Sequence, residues 1–377
     1  MHSLRFGALL VAVLSVARHG AAAPPPSPPP SSRGVIALGG PSFNGYYPAM
    51  DIPPQAKSNV WAVSGGGSHS MAIYGPERRV IEWPRIDDSG WPGSPPLPNN
   101  TYRDQPPNLT NVTAIAAGQS HSLALRKNGR VVMWNQRLTG DNRTDYLPNF
   151  ITRANIKAIS AAKGGGTFSM FLLSNGSVLE WPPRNYSEIY SGNFTTWIVP
   201  RPHALLMSGN VKAIAAGYEH CLALLKNGTV VAWGGKRGMT EAGISAQFKS
   251  VQVPAAAQAN VTAIAAGMAH SLALLKNGTV VAWGRLLGGF SGATCAAIGC
   301  GGAPPPPGGP NGVPYAALSG VKAISAGKTT AVALLTGGRV FVWGQTSAGL
   351  VVTNIPPEAQ SGVVGIGSGS IWWMAIK

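Results

Sequence analysis

Residues 112–134 read VTAIAAGQSHSLALRKNGRVVMW, and residues 211–233 and 261–283 repeat this stretch with the same internal spacing. In each copy a Gly, a His, an Asn and a Trp follow the first Val by six, nine, sixteen and twenty-two residues. Three copies with one spacing indicate a repeat protein, in which each copy forms one structural unit and stacks on its neighbours.

Further copies are less regular. Three weaker ones begin at Val60, Ile156 and Val321, and in the last of them Thr330 and Gly337 replace the His and the Asn. A seventh begins at Val363, but the sequence stops at Lys377, before a final strand. The missing piece stands at the other end, where residues 34–40 (GVIALGG) match the close of the fourth copy (GTVVAWGG) with Leu38 in the Trp position.

The spacing of the copies predicts the fold. They begin 42 to 60 residues apart, a period typical of propeller blades. The segments VTAIAAG, SLALLK and TVVAWG have strand patterns, and the Asn-Gly pairs at 128, 175, 227 and 277 predict two-residue type I′ hairpins. A repeat split between the two ends closes a ring and removes free sheet edges. We predict a seven-bladed β-propeller over residues 34–377, with three strands in each blade and a fourth possible between repeats.

One motif resembles a known family. AGxxH followed by an SLAL-like segment, at Gly118–Leu125, Gly217–Leu224 and Gly267–Leu274, resembles the regulator of chromosome condensation family of propellers. The NGTVVAWG segments are also similar to a secreted bacterial β-lactamase-inhibitory protein. These resemblances imply binding through a propeller face: nucleotide exchange on the GTPase Ran with chromatin contact, or occlusion of a β-lactamase. The segments after Trp-Gly lack the GQLG-like continuation of the nuclear proteins, so no exchange-site residue is transferred.

The N-terminus predicts secretion. Arg5 precedes the apolar run ALLVAVLSVA, and Ala21-Ala22-Ala23 offers a cleavage site, so residues 1–23 have the pattern of a signal peptide. Ten apolar residues are too few to span a bilayer as a helix. Residues 24–33 are Pro-rich and are predicted to be a polyproline linker, which also resembles the Ser-Pro stretches of cell-wall glycoproteins.

Glycosylation sequons and cysteines suit an extracellular setting. Of ten sequons, those at Asn111, Asn175, Asn227, Asn260 and Asn277 coincide with turns or strand starts. The loop sequons, which are the predicted glycosylation sites, are Asn99, Asn108, Asn142, Asn185 and Asn193.

The chain has three cysteines, too few for a disulfide scaffold. Cys221 replaces Ser in a strand and is predicted to be a buried thiol. Cys295 and Cys300 lie in the longest loop, where an oxidising compartment favours a disulfide between them over a zinc site.

The chain is strongly basic. It carries 29 Lys and Arg against 13 Asp and Glu, and removal of residues 1–23 leaves a formal charge of +14. Such a charge favours polyanions, which outside a cell are acidic polysaccharides or anionic surfaces and inside a nucleus are nucleic acids. Scattered lysines at hairpin tips are also consistent with simple solubility. Secretion would argue against nucleic acid.

The segments between repeats are the predicted binding loops, because repeat strands are committed to packing. They combine Arg with Tyr and Trp, as interface hot spots and carbohydrate-stacking surfaces do. Packing of these aromatics onto the blades is the equally weighted alternative. The candidate partner-binding residues are Trp91, Arg103, Arg184, Tyr186, Tyr190, Phe194, Trp197 and Arg201.

The repeated His and Trp residues are assigned to structure. Equivalent positions on a ring stand apart, so the histidines are predicted to be buried rings bonded to neighbouring backbone, and the tryptophans to be blade core. These residues are His69, His121, His220, His270, Trp83, Trp134, Trp181, Trp233, Trp283 and Trp343. Glu82 and Glu180 each precede such a Trp and are either solvated or inter-blade partners.

Two functions remain from the sequence. No Gly-x-Ser-x-Gly elbow, phosphate-binding loop, zinc-spaced cluster or cofactor motif is found, so catalytic, metal-binding and cofactor-binding residues are not assigned. The first hypothesis is a secreted, monomeric, non-enzymatic binding protein, in the medium, cell wall or matrix, whose loop face holds a protein or an acidic polysaccharide. The alternative is a nucleotide-exchange factor for a Ran-type GTPase.

Overall fold

The computed structural model describes residues 32–39, 52–67, 69–83, 106, 109–119, 121–134, 147–163, 168–181, 197–199, 203–218, 220–236, 251–284, 319–328, 330–344, 355–370 and 372–377. The predicted signal peptide and most of the predicted linker lie outside these ranges. Within them, no helix has the length and apolar character needed to cross a membrane.

The described strands form seven antiparallel sheets, one for each repeat, which confirms the predicted seven-bladed β-propeller. Blade 7 combines both ends of the sequence. The strands of blades 1 to 3 are β2 (Val60–Gly65), β3 (Ser70–Tyr74) and β4 (Arg79–Trp83), then β5 (Val112–Ala117), β6 (Ser122–Arg126) and β7 (Val131–Trp134), then β8 (Ile156–Ala161), β9 (Ser169–Leu173) and β10 (Val178–Trp181).

Blade 4 has four strands, in the order β11-β14-β13-β12, and so contains a fourth strand of the kind that the sequence left open. Its strands are β11 (Trp197–Val199), β12 (Val211–Ala216), β13 (His220–Leu225) and β14 (Val230–Lys236). Blades 5 and 6 are β15 (Val261–Ala266), β16 (His270–Leu275) and β17 (Val280–Gly284), then β18 (Val321–Ala326), β19 (Thr330–Leu335) and β20 (Val340–Gly344). Blade 7 is β21 (Gly365–Ser368), β22 (Trp372–Ile376) and β1 (Val35–Gly39).

The first strand of each repeat contacts the first strand of the next, so these strands form an inner ring around a central channel. The ring closes through blade 7, where β1 pairs with β22 in the register Val35 to Ile376. Gly34 N donates to Lys377 O at 2.8 Å, and Lys377 N donates to Gly34 O at 3.0 Å. These bonds confirm the predicted pairing of the two half-repeats.

The Asn-Gly turns differ from the prediction. Gly129 has a φ of 78°, but Asn128 is not in the left-handed region, whereas a type I′ turn needs both residues there. Gly129 N donates to Arg126 O at 2.9 Å, and Arg126 N donates to Arg130 O at 2.8 Å, which defines a three-residue loop with Gly in the left-handed position. Asn128 Oδ1 accepts from Arg130 N at 3.1 Å. The Asn therefore fixes the turn through its side chain.

Short helical turns precede several inner strands. They are α1 (Asn149–Thr152), α2 (His203–Met207) and single 3-10 turns at Pro54–Ala56, Ala255–Ala257 and Pro357–Ala359. Each buries one apolar residue, such as Ile151 of α1 or Leu206 of α2, between neighbouring blades. The core is correspondingly divided into seven clusters at the blade interfaces, as expected when each unit buries its apolar faces against its neighbours.

Candidate binding surface and inter-blade contacts

The candidate loop residues lie almost entirely outside the described part of the chain. Trp197 is the exception, because it begins β11 and pairs with Lys236 of β14. The other candidates outside the described ranges are Trp91, Arg103, Arg184, Tyr186, Tyr190, Phe194 and Arg201. The predicted glycosylation sites and the predicted Cys295–Cys300 disulfide fall outside as well. Cys221 is buried in the core of blade 4.

The repeated histidines join one blade to the next. Nε2 of His69 lies 2.9 Å from Oγ of Ser122, which belongs to the following blade. The same contact recurs from His121 to Ser169 at 2.8 Å and from His220 to Ser271 at 3.0 Å. All three imidazole rings are buried. These bonds run to side-chain hydroxyls of the next blade, and we call the pairs the inter-blade latches.

The Gly of the AGxxH motif makes room for the latch. A Cβ built on Gly118 would meet Cε1, Nδ1 and Nε2 of His121 in the same blade. Gly217 and Gly267 are similarly covered by the rings of His220 and His270. The Gly and the His of the motif are three residues apart because the imidazole ring folds back over the Gly, which has no side chain to obstruct it.

The four remaining interfaces show variations on the latch. Blade 7 places Trp372 in the His position, and its Nε1 donates to Oγ of Ser70 in blade 1 at 3.0 Å. Blade 3 places Phe168 there, in one apolar cluster with Cys221 of blade 4.

At the interface between blades 5 and 6, Ala331 takes the place of the serine that would face His270. At the interface between blades 6 and 7, Thr330 takes the place of the histidine and Trp373 that of the serine. No side-chain group among the described residues bonds to the ring nitrogens of His270, and Oγ1 of Thr330 has no hydrogen-bond partner there. Burial and the charge of Lys163 lower the pKa of His270 to about 3, against an opposing effect of the Thr330 backbone, so its ring is neutral.

Two glutamates make a second contact between blades. Nε1 of Trp134 donates to Glu82 Oε2 of the preceding blade at 2.7 Å, and Nε1 of Trp233 donates to Glu180 Oε1 at 2.9 Å. Ser122 Oγ also donates to Glu82, which is 3% exposed. Of the two roles open to these glutamates, the structure shows the inter-blade one.

Most of the repeated tryptophans are fully buried. Trp83, Trp134, Trp233, Trp283 and Trp343 are all buried in the blades. Trp181 is half-buried and packs edge-on against Phe150 of α1, with ring centroids 6.1 Å apart. Nε1 of Trp343 has no hydrogen-bond partner among the described residues, because the preceding blade carries Ala282 where blades 1 and 3 carry a Glu.

One face of the ring is strongly basic. The hairpins between the second and third strands and the starts of the inner strands meet at this face, which we call the hairpin face. At blades 2 to 6 its described residues include ten Lys and Arg side chains and no Asp or Glu. We call this set the basic arc, and its members are Arg126, Lys127, Arg130, Arg153, Lys157, Lys212, Lys226, Lys276, Lys322 and Arg339.

The cations of the arc are close enough to affect one another. Burial, and then the charge of Lys226 in the neighbouring blade, lower the pKa of Lys157, and burial lowers the pKa of Lys322. At blade 1 the face also carries a carboxylate, because Arg79 forms a salt bridge with Glu77 at 2.7 Å. Arg78 there lies 4.2 Å from the ring of Trp61. On blades 2 to 6, by contrast, no described carboxylate offsets the cations of this face.

Two exposed apolar side chains accompany the arc. Phe150 is 56% exposed and Met207 is 42% exposed. The helical turns that carry them lie against the hairpins, since Arg130 donates to Thr152 O of α1 at 2.7 Å and Ser177 Oγ donates to Met207 O at 3.3 Å. In the part of the chain that the structure describes, no three His, Cys, Asp or Glu side chains are placed to hold a metal ion.

Comparison with known proteins agrees with this architecture. The family model of the regulator of chromosome condensation (RCC1) repeat matches residues 112–134, 211–235, 261–285 and 321–349. These segments coincide with blades 2, 4, 5 and 6. In blade 6, Thr330 replaces the inter-blade histidine. The chain therefore carries RCC1 repeats in these four blades.

Relatives and a solved structure agree with an RCC1-type propeller fold. The Arabidopsis thaliana RCC1 domain-containing protein RUG3, mitochondrial, is 26% identical over 220 residues, which cover 53% of this chain and 47% of that protein. Protein pim1 of Schizosaccharomyces pombe is 34% identical over 134 residues, covering 30% and 24%. The chain thus spans less than half the length of these relatives. The structure of Prp20p from Saccharomyces cerevisiae superposes with a TM-score of 0.58 at 20% identity, covering 92% of this chain and 91% of that chain.

Sequence reasoning missed two features of this RCC1-repeat propeller. The latch pairs were hidden because each joins residues about fifty positions apart, although a His next to a Ser in successive copies was a signal for them. Lys163, whose ammonium lies in the central channel, stands in the irregular copy that begins at Ile156, where the other copies have an uncharged residue or Lys328.

Proposed function

We propose that this propeller is a non-enzymatic binding protein that holds an acidic protein against its hairpin face. The basic arc is the observation that carries the proposal. Ten cations without a described carboxylate among them form a one-sided electrostatic surface, and such surfaces select and steer partners of opposite charge.

The apolar side chains favour a protein over a glycan. Phe150 and Met207 lie exposed beside the cations, and interfaces between proteins are enriched in aromatic residues, Met and Arg. The repeated His and Trp side chains support a binding role in another way, because they are used between the blades and leave recognition to the faces.

The extracellular setting is part of the proposal and rests on the sequence: the leader, the Pro-rich segment and the loop sequons. Exchange on a Ran-type GTPase is the second candidate, since the similar structure of Prp20p was described together with binding to Gsp1p and histones.

The test compares three proteins: the wild type, the triple variant K157E/K212E/K226E on the arc, and K328E. Lys328 is an exposed lysine at the opposite end of an inner strand and serves as the matched control. Each protein is immobilised and incubated with culture medium and with cell extract, and the retained proteins are identified and assayed for direct binding after purification.

We expect an acidic protein that the wild type and K328E retain, that high salt releases, and that the arc variant loses. Equal retention by all three proteins would contradict the use of the arc. Retention of heparin but of no protein would change the partner to a glycan. Faster nucleotide release from a Ran-type GTPase would favour the exchange function. The variant R184A/Y190A/W197A/R201A tests separately whether the loop contributes.

A further inference from the structure

The central channel is crossed by one lysine. Lys163 lies two residues after the end of the inner strand of blade 3, yet its Nζ donates to the carbonyl oxygens of Ala326 at 3.0 Å and Ser368 at 2.9 Å. Ala326 ends the inner strand of blade 6 and Ser368 ends that of blade 7, on the far side of the ring. The side chain therefore spans the channel.

A small cavity surrounds this ammonium group. It has a volume of about 40 Å³ and is lined by the inner strands of blades 1, 2, 3, 6 and 7. A cavity needs roughly 10–15 Å³ on this measure to hold one water molecule, so there is room for a few water-sized particles. The polar side chains in its lining, besides Lys163, are Ser64, Ser160, Ser325 and Ser368.

The electrostatics of the cavity are one-sided. No described carboxylate lines it, and Lys163 has no ion-pair partner among the described residues. Burial lowers the pKa of Lys163 to about 8, so most of the molecules carry the charge at neutral pH. A charge surrounded by protein is costly unless it is paired, and carbonyl oxygens supply only partial charges. Lys163 nevertheless keeps some solvent exposure, through the channel.

Two donors remain available at this point. An ammonium group has three N–H donors, and the two carbonyl bonds of Lys163 leave one of them unused. Oγ of Ser368 is fully buried and has no hydrogen-bond partner among the described residues. Oγ of Ser64 and Oγ of Ser160 accept from the backbone of the next blade, which leaves their O–H groups as further donors of the lining. Ser368 differs from these two serines because its Oγ makes no hydrogen bond at all among the described residues.

We propose that the channel is a binding site for one small inorganic anion of halide size, held by the ammonium group of Lys163 and the hydroxyl of Ser368. The volume fits a halide, which occupies about the space of a water molecule, and leaves little room for a polyatomic anion with its own hydration. Chloride is the ion of this class that cells and body fluids supply. Lys157, Lys212 and Lys322 near the hairpin end of the inner strands make the approach from that face favourable.

Bromide is the probe for a crystallographic test. Crystals of the full chain grown without halide are soaked in sodium bromide, and anomalous differences are measured at the bromine edge. We expect a peak in the channel within contact distance of Lys163 Nζ and Ser368 Oγ. Peaks on the surface with none in the channel would show that the cavity holds only water and would overturn the proposal.

A solution test separates this site from general salt effects. Thermal unfolding is followed in sodium bromide and in sodium gluconate of equal ionic strength, since gluconate is too large for the cavity. An ion that binds only the folded state raises the melting temperature progressively with its concentration. We expect this bromide-specific shift in the wild type and in K328M, and its loss in K163M. Equal shifts in the wild type and K163M would overturn the proposal.

If K163M does not fold, Ser368→Ala is the second variant for this measurement. This variant retains the ammonium group and removes a hydroxyl that makes no bond within the protein. We expect it to fold and to raise the apparent dissociation constant for bromide several-fold. An unchanged constant, together with an empty channel in the bromide crystal, would count against the site.

Discussion

His270 of blade 5 and Ala331 of blade 6 occupy the positions at which His69, His121 and His220 meet a serine hydroxyl of the following blade. The ring of His270 is 1% exposed, and both of its nitrogens lack a side-chain hydrogen-bond partner among the described residues. A buried polar group without a partner destabilises the fold. At the interface between blades 5 and 6, one added hydroxyl would therefore complete the His–Ser contact that three other interfaces already have.

Ala331→Ser should stabilise the protein. The new Oγ would take the place that Ser122 and Ser271 have beside His69 and His220, and a net gain of about 0.5–1.5 kcal/mol is expected for one hydrogen bond. Urea unfolding followed by tryptophan fluorescence measures the change.

Ala333→Ser is the control for that substitution. Ala333 is equally buried two residues further along β19, but no His occupies the matching position of the preceding blade. This variant should be less stable than the wild type. A stability of A331S at or below the wild-type value would show that the latch does not form there.

Ser122→Ala should cost more than Ser169→Ala. Oγ of Ser122 contacts His69 and donates to Glu82, so its removal weakens two buried groups, one of them a carboxylate. We expect a loss of about 1–3 kcal/mol in the free energy of unfolding, the range for an unsatisfied buried group. Calorimetry of the two variants compares them, and an equal loss would mean that the bond to Glu82 contributes nothing.

Trp134→Phe and Trp343→Phe form a matched pair. Both residues are buried core tryptophans, but only Nε1 of Trp134 has an acceptor, the carboxylate of Glu82. Hydrogen bonds to charged groups contribute about 1.5–3 kcal/mol, so W134F should be less stable than W343F by roughly that amount. Chemical unfolding of both variants gives the difference, which would vanish if the Glu82 bond were replaced by water.

His270→Phe should reduce the acid sensitivity of the fold. The pKa of His270 is about 3 in the folded state against an ordinary value of 6.5, so between these values the unfolded chain binds a proton that the folded chain does not. Stability therefore falls as the pH drops from 6.5 towards 3, by ~1.4 kcal/mol per pH unit for this residue. Phe needs no partner opposite Ala331, as Phe168 shows in blade 3.

The measurement for this variant is the free energy of unfolding of wild type and H270F between pH 7 and pH 4. The stability of the wild type should fall relative to that of H270F as the pH drops below 6.5, because H270F lacks the group that the unfolded state protonates. Parallel curves over the whole range would mean that His270 titrates normally in the folded protein.

The fold was predictable because the repeat imposes it. Seven copies of one pattern specify seven blades, and the half-repeat at residues 34–40 specifies the closing strand. The hairpin type was not predictable from Asn-Gly alone, since one extra residue, Lys127 in blade 2, makes the loop three residues long. In that longer loop the Gly alone takes a positive φ, and the Asn bonds through its side chain.

The binding surface was less accessible to sequence reasoning. Lysines such as Lys157 and Lys226 come from different copies, about seventy residues apart, and their proximity depends on how neighbouring blades are placed. Considered one at a time, each of these residues is an ordinary solvated lysine. The hydrogen bonds of Lys163 could not be predicted from the sequence either, because its partners Ala326 and Ser368 are on the opposite side of the ring. Contacts of this kind arise when the ring of blades closes, and no local sequence pattern indicates them.

Each latch strand carries an outgoing and an incoming half of the contact in adjacent residues: in blade 2, His121 reaches forward to Ser169 while Ser122 receives His69. A gene segment that encodes one such strand therefore encodes both halves of the inter-blade contact. Duplication of a whole repeat would add a unit that fits on both sides without any new substitution. Where one half has changed, as with Phe168 and Cys221, the other half belongs to a different unit, and the two positions are expected to vary together during evolution.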